Sequence, residues 1–476
     1  MKTRLPAAEK WTEGYLVLLF LGLPLLLHNG YFDVMETKFA YFLLLTALWL
    51  LGLLWFAAMG QGLEGEGLPA GALACLVFCA AGILAALLGG HGRAALLAAD
   101  NRYQGLLALL LYGAMVAGLS RCAMGRLSLW ALLGGFGVNG LLGVLNFLGF
   151  DPLGLIRPLT AFDRGRFLGL IGNINFFGAY MTLLTPAAAL LACGAEKRWQ
   201  RLGLGLLALL GLWGAMTARS ESAVLGFGAA GLLLPLFARG RERKRSLWLL
   251  PGLVLGMQSF ALLSGRDFSA LTALLLRPAV SAALLFGGLG AYALGQRSRR
   301  AYGLALLGAV LALGLGLLLA NTVIPAERLG RLGDWLVLDA DFGSDRGAIW
   351  RSCFALYGEF PWWQKLIGAG SGVLARWDTL HRVFPDAVVD SAHNEYIHYL
   401  LTHGLVGLGA YLGFLFCALR AAYRSGSPLY RALGLGAAAY AAQALVNIAQ
   451  SATTPLFLAI LGLLTGAAAL DRADGL

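Results

Sequence analysis

A histidine stands where a polar segment of the sequence gives way to an apolar one. His393 lies in the run Asp390-Ser-Ala-His-Asn-Glu, and apolar residues dominate the sequence that follows. Asp390 or Ser391 is expected to cap a helix here, because a short side-chain oxygen accepts a hydrogen bond from a free N–H of the first turn. The positive end of that helix favours a neutral imidazole in the first turn, the form that a general base requires.

The residues around His393 leave two interpretations open. Glu395 is a second candidate base on a different face, and Asn394 is a candidate substrate ligand. In the alternative interpretation, His393 only caps a membrane helix at the interface. The residues expected to share its helical stripe, at spacings of three and four, are Tyr396, Ile397, Leu400, Leu401 and Gly404.

An arginine on an apolar helix face is the second candidate for chemistry. The stretch 345–357 reads as an amphipathic helix that ends before Pro361. A charged group on a packing face needs a partner, so Arg346 is the site candidate. Arg351 points the other way and is expected to be solvated. The predicted packing face, at about 100° per residue, consists of Arg346, Ile349, Trp350, Cys353, Phe354 and Tyr357.

Three further arginines begin or precede apolar stretches. Arg102 is either a side chain that snorkels to the membrane interface or a phosphate ligand. Arg166 precedes Gly172-Asn-Ile-Asn, in which Asn173 serves either helix packing or a site, because buried amides in a bilayer need partners. Arg219 either pairs with Glu221 or reaches an anionic ligand.

The elements that position these residues are apolar helices. The chain has 476 residues, of which 59% are hydrophobic and 13% charged, whereas soluble proteins carry roughly 25% charged residues. We predict an all-α polytopic membrane protein that forms one domain over 1–476. Its fourteen or so spans, most near the ~20 residues that a bilayer requires, are expected at about 11–28, 39–58, 68–89, 104–120, 129–149, 171–193, 202–218, 222–238, 246–264, 270–294, 302–320, 395–421, 432–449 and 455–470.

Charge patterning sets the expected topology. The net charge of +11 arises largely from Lys and Arg in short loops on the N-terminal side, so both termini are expected in the cytoplasm and the long loop 321–392 outside. The charge therefore indicates topology rather than nucleic-acid binding. Lys38 is expected to be an interfacial anchor. Arg277, inside the predicted span 270–294, is either buried and paired or a sign that the span is misplaced.

The remaining motifs do not predict a metal or nucleotide site. The six cysteines show neither a disulfide framework nor zinc-ligand spacing. Gly368-Ala-Gly-Ser-Gly372 has no flanking strand and helix in a nucleotide-binding pattern, so it is expected to be a turn. Gln443, Asn447 and Gln450 are expected to line one side of a span.

The motifs together resemble a family of bacterial O-antigen ligase-like and surface-polysaccharide polymerase membrane proteins. The resemblance covers most of the chain and depends chiefly on His393-Asn-x9-Gly404-x2-Gly407 after a long outer loop. It is supported by Gly172-Asn-Ile-Asn-Phe-Phe, Ser344-Asp-Arg-Gly-Ala-Ile-Trp and Asn101-Arg-Tyr-x-Gly. The family's Ser-Arg-Gly-like motif is replaced here by Arg219-Ser-Glu-Ser-Ala, which puts Glu221 where an arginine is expected.

The resemblance implies a metal-independent, cofactor-free glycosyltransferase at the outer face of the bacterial inner membrane. Its partners would be a polyprenyl (undecaprenyl) diphosphate-linked oligosaccharide donor, a glycan or lipid acceptor, and membrane lipid. By motif, His393 matches the base and Arg346 the arginine that grips diphosphate, with Arg102, Arg166 and Arg219 as further ligands. The competing classes are a lipid-linked oligosaccharide transporter (flippase) and a non-catalytic scaffold, although candidate residues on the outer side favour an enzyme over a transporter.

Overall fold

Helices make up nearly all of the structure. A computed structural model describes residues 7–63, 67–98, 102–330, 333–340, 342–343, 345–374 and 389–473. Asn101, Ser344 and residues 375–388 of the predicted outer loop therefore lie outside the described residues. A two-residue antiparallel hairpin pairs β1 (Phe167–Leu168) with β2 (Gly172–Asn173), and short 3₁₀ helices lie at Ser246–Trp248 and Ala444–Val446. The α-helices are α1 (Ala7–Leu25), α2 (Val34–Ala58), α3 (Ala70–Leu88), α4 (Arg93–Leu97), α5 (Leu106–Leu119), α6 (Arg126–Leu148), α7 (Ile174–Gly194), α8 (Arg198–Thr217), α9 (Glu221–Phe237), α10 (Gly240–Arg245), α11 (Leu249–Ser264), α12 (Ala270–Leu276), α13 (Pro278–Arg297), α14 (Arg299–Thr322), α15 (Ala326–Leu329), α16 (Gly333–Leu336), α17 (Arg346–Glu359), α18 (Trp362–Ile367), α19 (Glu395–Arg424), α20 (Pro428–Gln443) and α21 (Thr454–Ala473).

Several of these helices are long and apolar enough to cross a membrane. Within the described ranges, eight helices meet that condition by length and composition, and three shorter helices are also apolar. This is the composition of an all-α membrane protein, as predicted from the sequence, while the number of fourteen spans stays a prediction. The eight are Val34–Ala58, Ala70–Leu88, Arg126–Leu148, Ile174–Gly194, Gly240–Ser264, Pro278–Arg297, Arg299–Thr322 and Glu395–Arg424.

The prediction of one span over 270–294 is wrong. Helix α12 ends at Leu276 and α13 begins at Pro278, with an exposed Arg277 in extended conformation (φ −62°, ψ 132°) between them. A residue before proline is disfavoured in helical conformation, whereas proline suits the first position of a helix. The Arg277-Pro278 pair therefore ends one helix and starts the next.

The core is built around α7, whose apolar stretch is almost fully buried. Helices α8, α9 and α20 pack around α7, while α19 packs against α3 and α21. Helices α11, α13 and α14 lie at the periphery and keep most of their apolar surface exposed. Large exposed apolar surfaces mark interaction sites, and for helices of this length the matching environment is the lipid tails.

One polar segment ties together the beginnings of three helices. Ser451 Oγ donates to the Met35 carbonyl of α2 at 2.8 Å, and Asn447 Nδ2 donates to the Asn175 carbonyl of α7 at 3.1 Å and to Ser222 Oγ of α9 at 3.4 Å. We call this end of the bundle, where α2, α7, α9 and α19 begin, the site end. The other end is called the opposite end.

The expected placement of Asn447 and Gln450 in a helix together with Gln443 is also wrong. Helix α20 ends at Gln443, so Asn447 and Gln450 lie in an irregular segment before α21. Asn447 Oδ1 accepts a hydrogen bond from the backbone N–H of Ile448 at 2.9 Å. Asparagine side chains that bond to nearby backbone compete with helix formation, which explains why the helix stops although the sequence remains apolar.

Lys38 is buried rather than interfacial. This residue of α2 is fully buried, and its Nζ donates to the carbonyls of Leu23, Pro24 and Leu26 at 2.7, 3.3 and 3.1 Å. These carbonyls lie at the end of α1, where no helical partner is left for them. The lysine therefore caps a neighbouring helix, a tertiary role that hydropathy does not reveal.

The segment that follows α18 docks against a break in α19. Within α19, Gly404 has non-helical dihedrals (φ 67°, ψ −171°). The N–H groups of Ala369 and Gly370 donate to the carbonyls of Leu401 and Thr402 at 2.9 and 3.2 Å. The predicted turn at 368–372 thus supplies N–H donors to the α19 carbonyls that lose their helical partners at the break.

Replacing Gly404 with alanine is expected to destabilise the protein. A Cβ atom at this position would collide with the Leu366 carbonyl, and the positive φ is strained for any L side chain. Such strain costs about 1–3 kcal/mol before the collision is counted. Thermal unfolding in detergent should show a lower Tm for Gly404→Ala than for Gly409→Ala, because Gly409 on the same helix has open space around it. Equal Tm values for the two variants would contradict this explanation.

Candidate functional site

His393 lies immediately before α19, not in its first turn. The cap is Asn394, whose Oδ1 accepts from the N–H groups of Tyr396 and Ile397 at 2.9 and 3.0 Å, so the expected cap at Asp390 or Ser391 is wrong. Ser391 Oγ instead accepts from the His393 N–H at 3.2 Å. Asn394 lies three residues after Ser391, and its bonds to the first turn fix the position of the adjacent His393.

His393 is held neutral by its surroundings. The pKa of the His393 imidazole is lowered from 6.5 to about 4, chiefly by burial and also by the nearby Arg102 and Arg346, while Asp390 opposes this shift. Burial and positive neighbours both disfavour an imidazolium ion. The neutral form was expected from the helix dipole, but the structure attributes it mainly to burial and to two guanidinium groups.

Arg102 forms an ion pair beside His393. Its Nη2 donates to both carboxylate oxygens of Asp390, at 2.8 and 3.1 Å, and the two side chains are 20% and 16% exposed. Its guanidinium carbon lies 6.0 Å from the ring centre of Phe176 in α7. The arginine therefore bridges two elements and fixes the segment that carries His393, rather than snorkelling freely.

Arg346 begins α17 and is the least neutralised cation near His393. Its Nη1 donates to the carbonyl of Gly343, and its buried Nε has no hydrogen-bond partner among the described residues. No carboxylate of the described chain lies within ion-pair distance of Arg346. Burial lowers the pKa of Arg346, and Glu221 opposes that shift from a greater distance. This side chain retains donors that an anion can accept.

The packing face of α17 is close to the predicted one. Ile349 and Cys353 are buried, Trp350 donates from Nε1 to the Ala392 carbonyl at 2.9 Å, and Arg351 is exposed as expected. Phe354 is 53% exposed, so its predicted place on the face is wrong and Leu356 is buried instead. The Trp350 bond links α17 directly to the residue before His393.

Strained backbone concentrates around these side chains. Five non-glycine residues of the described chain have positive φ. His393 (48°) and Arg219 (50°) are candidate residues themselves, while Tyr103 (57°) and Asp345 (66°) adjoin Arg102 and Arg346; the fifth is Ala98. Residues held in this region are uncommon and cluster at functional sites, where the surrounding structure compensates the strain.

Arg219 and Glu221 lie on the rim of the site end. Both side chains are exposed, and the Arg219 guanidinium stacks 5.2 Å from the ring centre of Phe147. The two do not form an ion pair in the described structure. Between them, Ser220 Oγ donates to Asn175 Oδ1 at 2.9 Å and so anchors the motif to α7.

Arg166 and Asn173 lie apart from His393. Arg166 is exposed and stacks 3.6 Å from the ring centre of Phe162. Asn173 caps α7, because its Oδ1 accepts from the Asn175 N–H at 2.9 Å. No described hydrogen bond, ion pair or ring contact brings either side chain to His393, Arg102 or Arg346.

Glu395 is enclosed in the core. It is 1% exposed, and its carboxylate oxygens accept from the hydroxyl groups of Tyr411 and Tyr440 at 3.3 and 3.5 Å. A carboxylate among tyrosines in the core cannot contact a substrate held outside, which is unfavourable for its predicted role as a second base or direct ligand.

A small cavity beside the start of α19 was not predicted. It measures about 20 Å³, enough for about one water molecule, and is lined by Arg102, Ser391, Glu395, His398 and His403 among others. His398 Nδ1 and His403 Nε2 are buried without a hydrogen-bond partner in the described structure. The spacing of His393, His398 and His403 at intervals of five is the only sequence signal for this cluster.

Replacing Asn394 separates capping from ligand binding. Asn394→Ala removes the cap and is expected to destabilise the protein by about 0.5–2 kcal/mol, whereas Asn394→Asp keeps a capping oxygen. Because the cap fixes the position of His393, the alanine variant should also lose activity, and the aspartate variant should retain most of both. Thermal unfolding and turnover of both variants check this. Loss of activity in the aspartate variant at unchanged Tm would instead indicate a direct ligand.

Comparison with known proteins does not place the chain in a family, because no protein-family model and no curated protein matches it.

Proposed function

We propose that this protein is a membrane glycosyltransferase. It transfers or polymerises glycan from an undecaprenyl-diphosphate-linked donor onto an acceptor hydroxyl, as O-antigen ligases and surface-polysaccharide polymerases do. The observation that carries the proposal is a half-buried His393, with its pKa lowered, next to the guanidinium groups of Arg102 and Arg346 at one end of an apolar helical bundle. A base and an anion-binding pair are the two parts that this reaction needs.

The proposed topology follows from the distribution of charge. About fourteen spans would cross the bacterial inner membrane, with both termini in the cytoplasm and the loop 321–392 outside. The short loops and tails predicted to lie in the cytoplasm carry 20 of the 36 Lys and Arg, which suits that side of the membrane. The site end then faces the compartment in which lipid-linked glycans are assembled.

The reaction proposed is a single displacement with inversion. The acceptor oxygen attacks the anomeric carbon of the donor sugar, and the bond from that carbon to the diphosphate oxygen breaks. The bonding pair leaves with the diphosphate, while the acceptor proton passes to the imidazole of His393. Arg346 and Arg102 stabilise the charge that develops on the leaving oxygen, because the guanidinium fork matches phosphate oxygens. The reaction is metal-independent because these cations meet that charge.

The two arginines also couple donor binding to the strength of the base. In the free protein they lower the pKa of His393, which makes it a weak base. A bound diphosphate would offset their charge and favour the imidazolium form, so the pKa would rise towards the working pH. His393 is then an effective base only while the donor is present.

The other candidate residues have lesser roles in this proposal. Arg219 and Arg166 are exposed and available to the glycan or to phosphate. Asn394 and Asn173 position the beginnings of α19 and α7 through their caps. Glu395 supports the interior below His393 instead of binding substrate directly.

Turnover by the purified protein tests the proposal. Wild-type protein in lipid nanodiscs would receive a polyprenyl-diphosphate oligosaccharide and candidate acceptors in the presence of a chelator. The expected result is release of polyprenyl diphosphate in step with formation of a larger glycan. Persistent absence of both products with donor bound would contradict the proposal, and loss of turnover on chelation would contradict its metal independence.

A further inference from the structure

Four arginines from three separate parts of the chain converge at the opposite end of the bundle. Arg239 immediately precedes α10 and Arg243 lies in it, while Arg299 begins α14 and Arg431 lies in α20. Arg299 Nη2 donates to the carbonyl of Ala238, next to Arg239, and Glu242 joins Arg431 to the backbone N–H of Arg239, so these residues lie close together. We call these residues the arginine cluster. Like charges gathered in a partly buried place are unfavourable unless anions compensate them.

The carboxylate within the cluster neutralises one of these arginines. Glu242 is 3% exposed, and its oxygens accept from Arg431 Nη2 at 2.8 Å and from Arg431 Nε at 3.4 Å. Glu242 also accepts from the backbone N–H of Arg239 at 3.0 Å. Glu242 thus bonds to Arg431 and to the start of α10. The charges of Arg239, Arg243 and Arg299 have no ion pair in the described structure.

Arg239 and Arg299 are fixed by carbonyl groups, which supply no charge. Arg239 Nη2 donates to the Tyr423 carbonyl, and Arg299 Nη2 donates to the Ala238 carbonyl at 2.6 Å. The Nε atoms of both arginines are buried and have no hydrogen-bond partner in the described part of the chain. A buried donor without a partner is costly, more so when it is charged. Both guanidinium groups are therefore oriented and retain donors for an anion.

An apolar cavity adjoins the cluster. It measures about 460 Å³ and includes Pro235, Tyr292 and Tyr302 among its lining residues. The hydroxyl of Tyr292 donates to the Arg243 carbonyl, and that of Tyr302 donates to the Leu232 carbonyl at 2.7 Å. The Tyr292 bond places the cavity wall directly against the backbone of the arginine cluster. Cationic donors next to an apolar cavity match a molecule with an anionic head and an apolar tail.

We propose that the arginine cluster binds the phosphate headgroup of an anionic phospholipid, with an acyl chain in the adjacent cavity. Basic pockets between membrane helices on the side rich in Lys and Arg suit such headgroups, and each nearby cation contributes about 1 kcal/mol. A free phosphate would use the same donors but would leave the cavity unused. This site lies at the other end of the bundle from His393 and does not depend on the transfer reaction.

Lipid titration of two variants tests the site. Purified protein in a neutral detergent would be titrated with phosphatidylglycerol, phosphatidylcholine, polyprenyl phosphate or inorganic phosphate while Tm is recorded. Arg243→Gln is the first variant, because no described side-chain bond of Arg243 would be lost. Arg239→Gln/Arg299→Gln is the second. The control is Arg300→Gln, which removes an exposed neighbouring charge.

Phosphatidylglycerol is expected to raise the Tm of wild-type protein and of the control at concentrations where phosphatidylcholine does not. Each lost charge should raise the lipid concentration needed for a given Tm shift about fivefold. The double variant should therefore need well over tenfold more lipid for the same shift. Equal responses to both lipids, or an unchanged response of Arg243→Gln, would overturn the proposal. A full shift with inorganic phosphate alone would assign the site to a soluble anion, and a preference for polyprenyl phosphate would assign the cavity to the donor. Both results would overturn the phospholipid assignment.

Discussion

Replacing His393 with glutamine is expected to lower kcat for glycan transfer by about 10²–10⁴-fold, the usual contribution of a positioned general base. Glutamine keeps much of the volume and polarity of histidine but cannot take up a proton. Donor affinity should change little, because the arginines remain in place. Turnover and donor binding measured on the same preparation check both parts.

The matched control is His28→Gln. His28 lies at the same end of the bundle, has an 80% exposed side chain and bonds only to Asp33 among the described contacts. It should retain wild-type turnover. Equal loss in the two variants would point to a general effect of removing a histidine, and full activity of His393→Gln would remove the base from the mechanism.

The pH dependence of wild-type activity should report the titration of His393. The base must be neutral, and His393 takes up a proton as pH falls through its pKa, so activity is lost on the acid side. The profile of kcat/KM reports the free protein and should fall only near pH 4, where the pKa of His393 lies. The profile of kcat reports the donor complex, and its acid limb should lie about 1–3 pH units higher because diphosphate offsets Arg102 and Arg346. Coincident limbs would contradict the coupling of donor and base.

Replacing Arg346 with alanine is expected to reduce kcat/KM by about 10²–10³-fold, the effect of removing one donor from a developing oxyanion. Arg346→Lys should recover only a small part, because a lysine ammonium is a point charge without the guanidinium fork. The pKa of His393 should rise in both the free alanine variant and its donor complex, which moves the acid limb of kcat/KM to higher pH. Steady-state kinetics over a range of pH measure both effects.

The control for Arg346 is Arg351→Ala on the exposed face of the same helix. It removes an arginine from α17 without touching the buried face, so activity should stay within a few-fold of wild type. A large loss in Arg351→Ala would show that the charge of α17, rather than the position of Arg346, matters. Wild-type activity of Arg346→Ala would exclude this side chain from binding the leaving group.

Hydropathy predicted the helical elements well, because apolar length alone decides whether a segment can cross a membrane. Hydropathy did not predict the features that depend on local backbone sterics or on tertiary contacts. The Arg277-Pro278 pair splits a span through backbone sterics that hydropathy ignores. Lys38 was predicted to be interfacial because the sequence does not show its carbonyl partners, which lie at the end of another helix.

The site was predicted in part. His393 and Arg346 were identified from motif and face, and the structure brings both near Arg102. The sequence did not reveal that Asp390 pairs with Arg102, because the two residues are 288 positions apart. The capping role of Asn394 was not predicted, since several adjacent residues can cap a helix and only the backbone decides among them. The cavity at His398 and His403 likewise depends on packing between helices.

The most direct test of the central claim measures transfer and transport together. Wild-type protein and His393→Gln would be placed in sealed proteoliposomes with a labelled polyprenyl-diphosphate oligosaccharide in the membrane and an acceptor. Polyprenyl diphosphate release, glycan product and movement of the label between leaflets would be followed in parallel. The proposal predicts release and product with wild type, neither with His393→Gln, and no difference in label movement. Movement of intact donor without release of diphosphate, lost or kept in the variant, would identify a transporter and contradict the transferase.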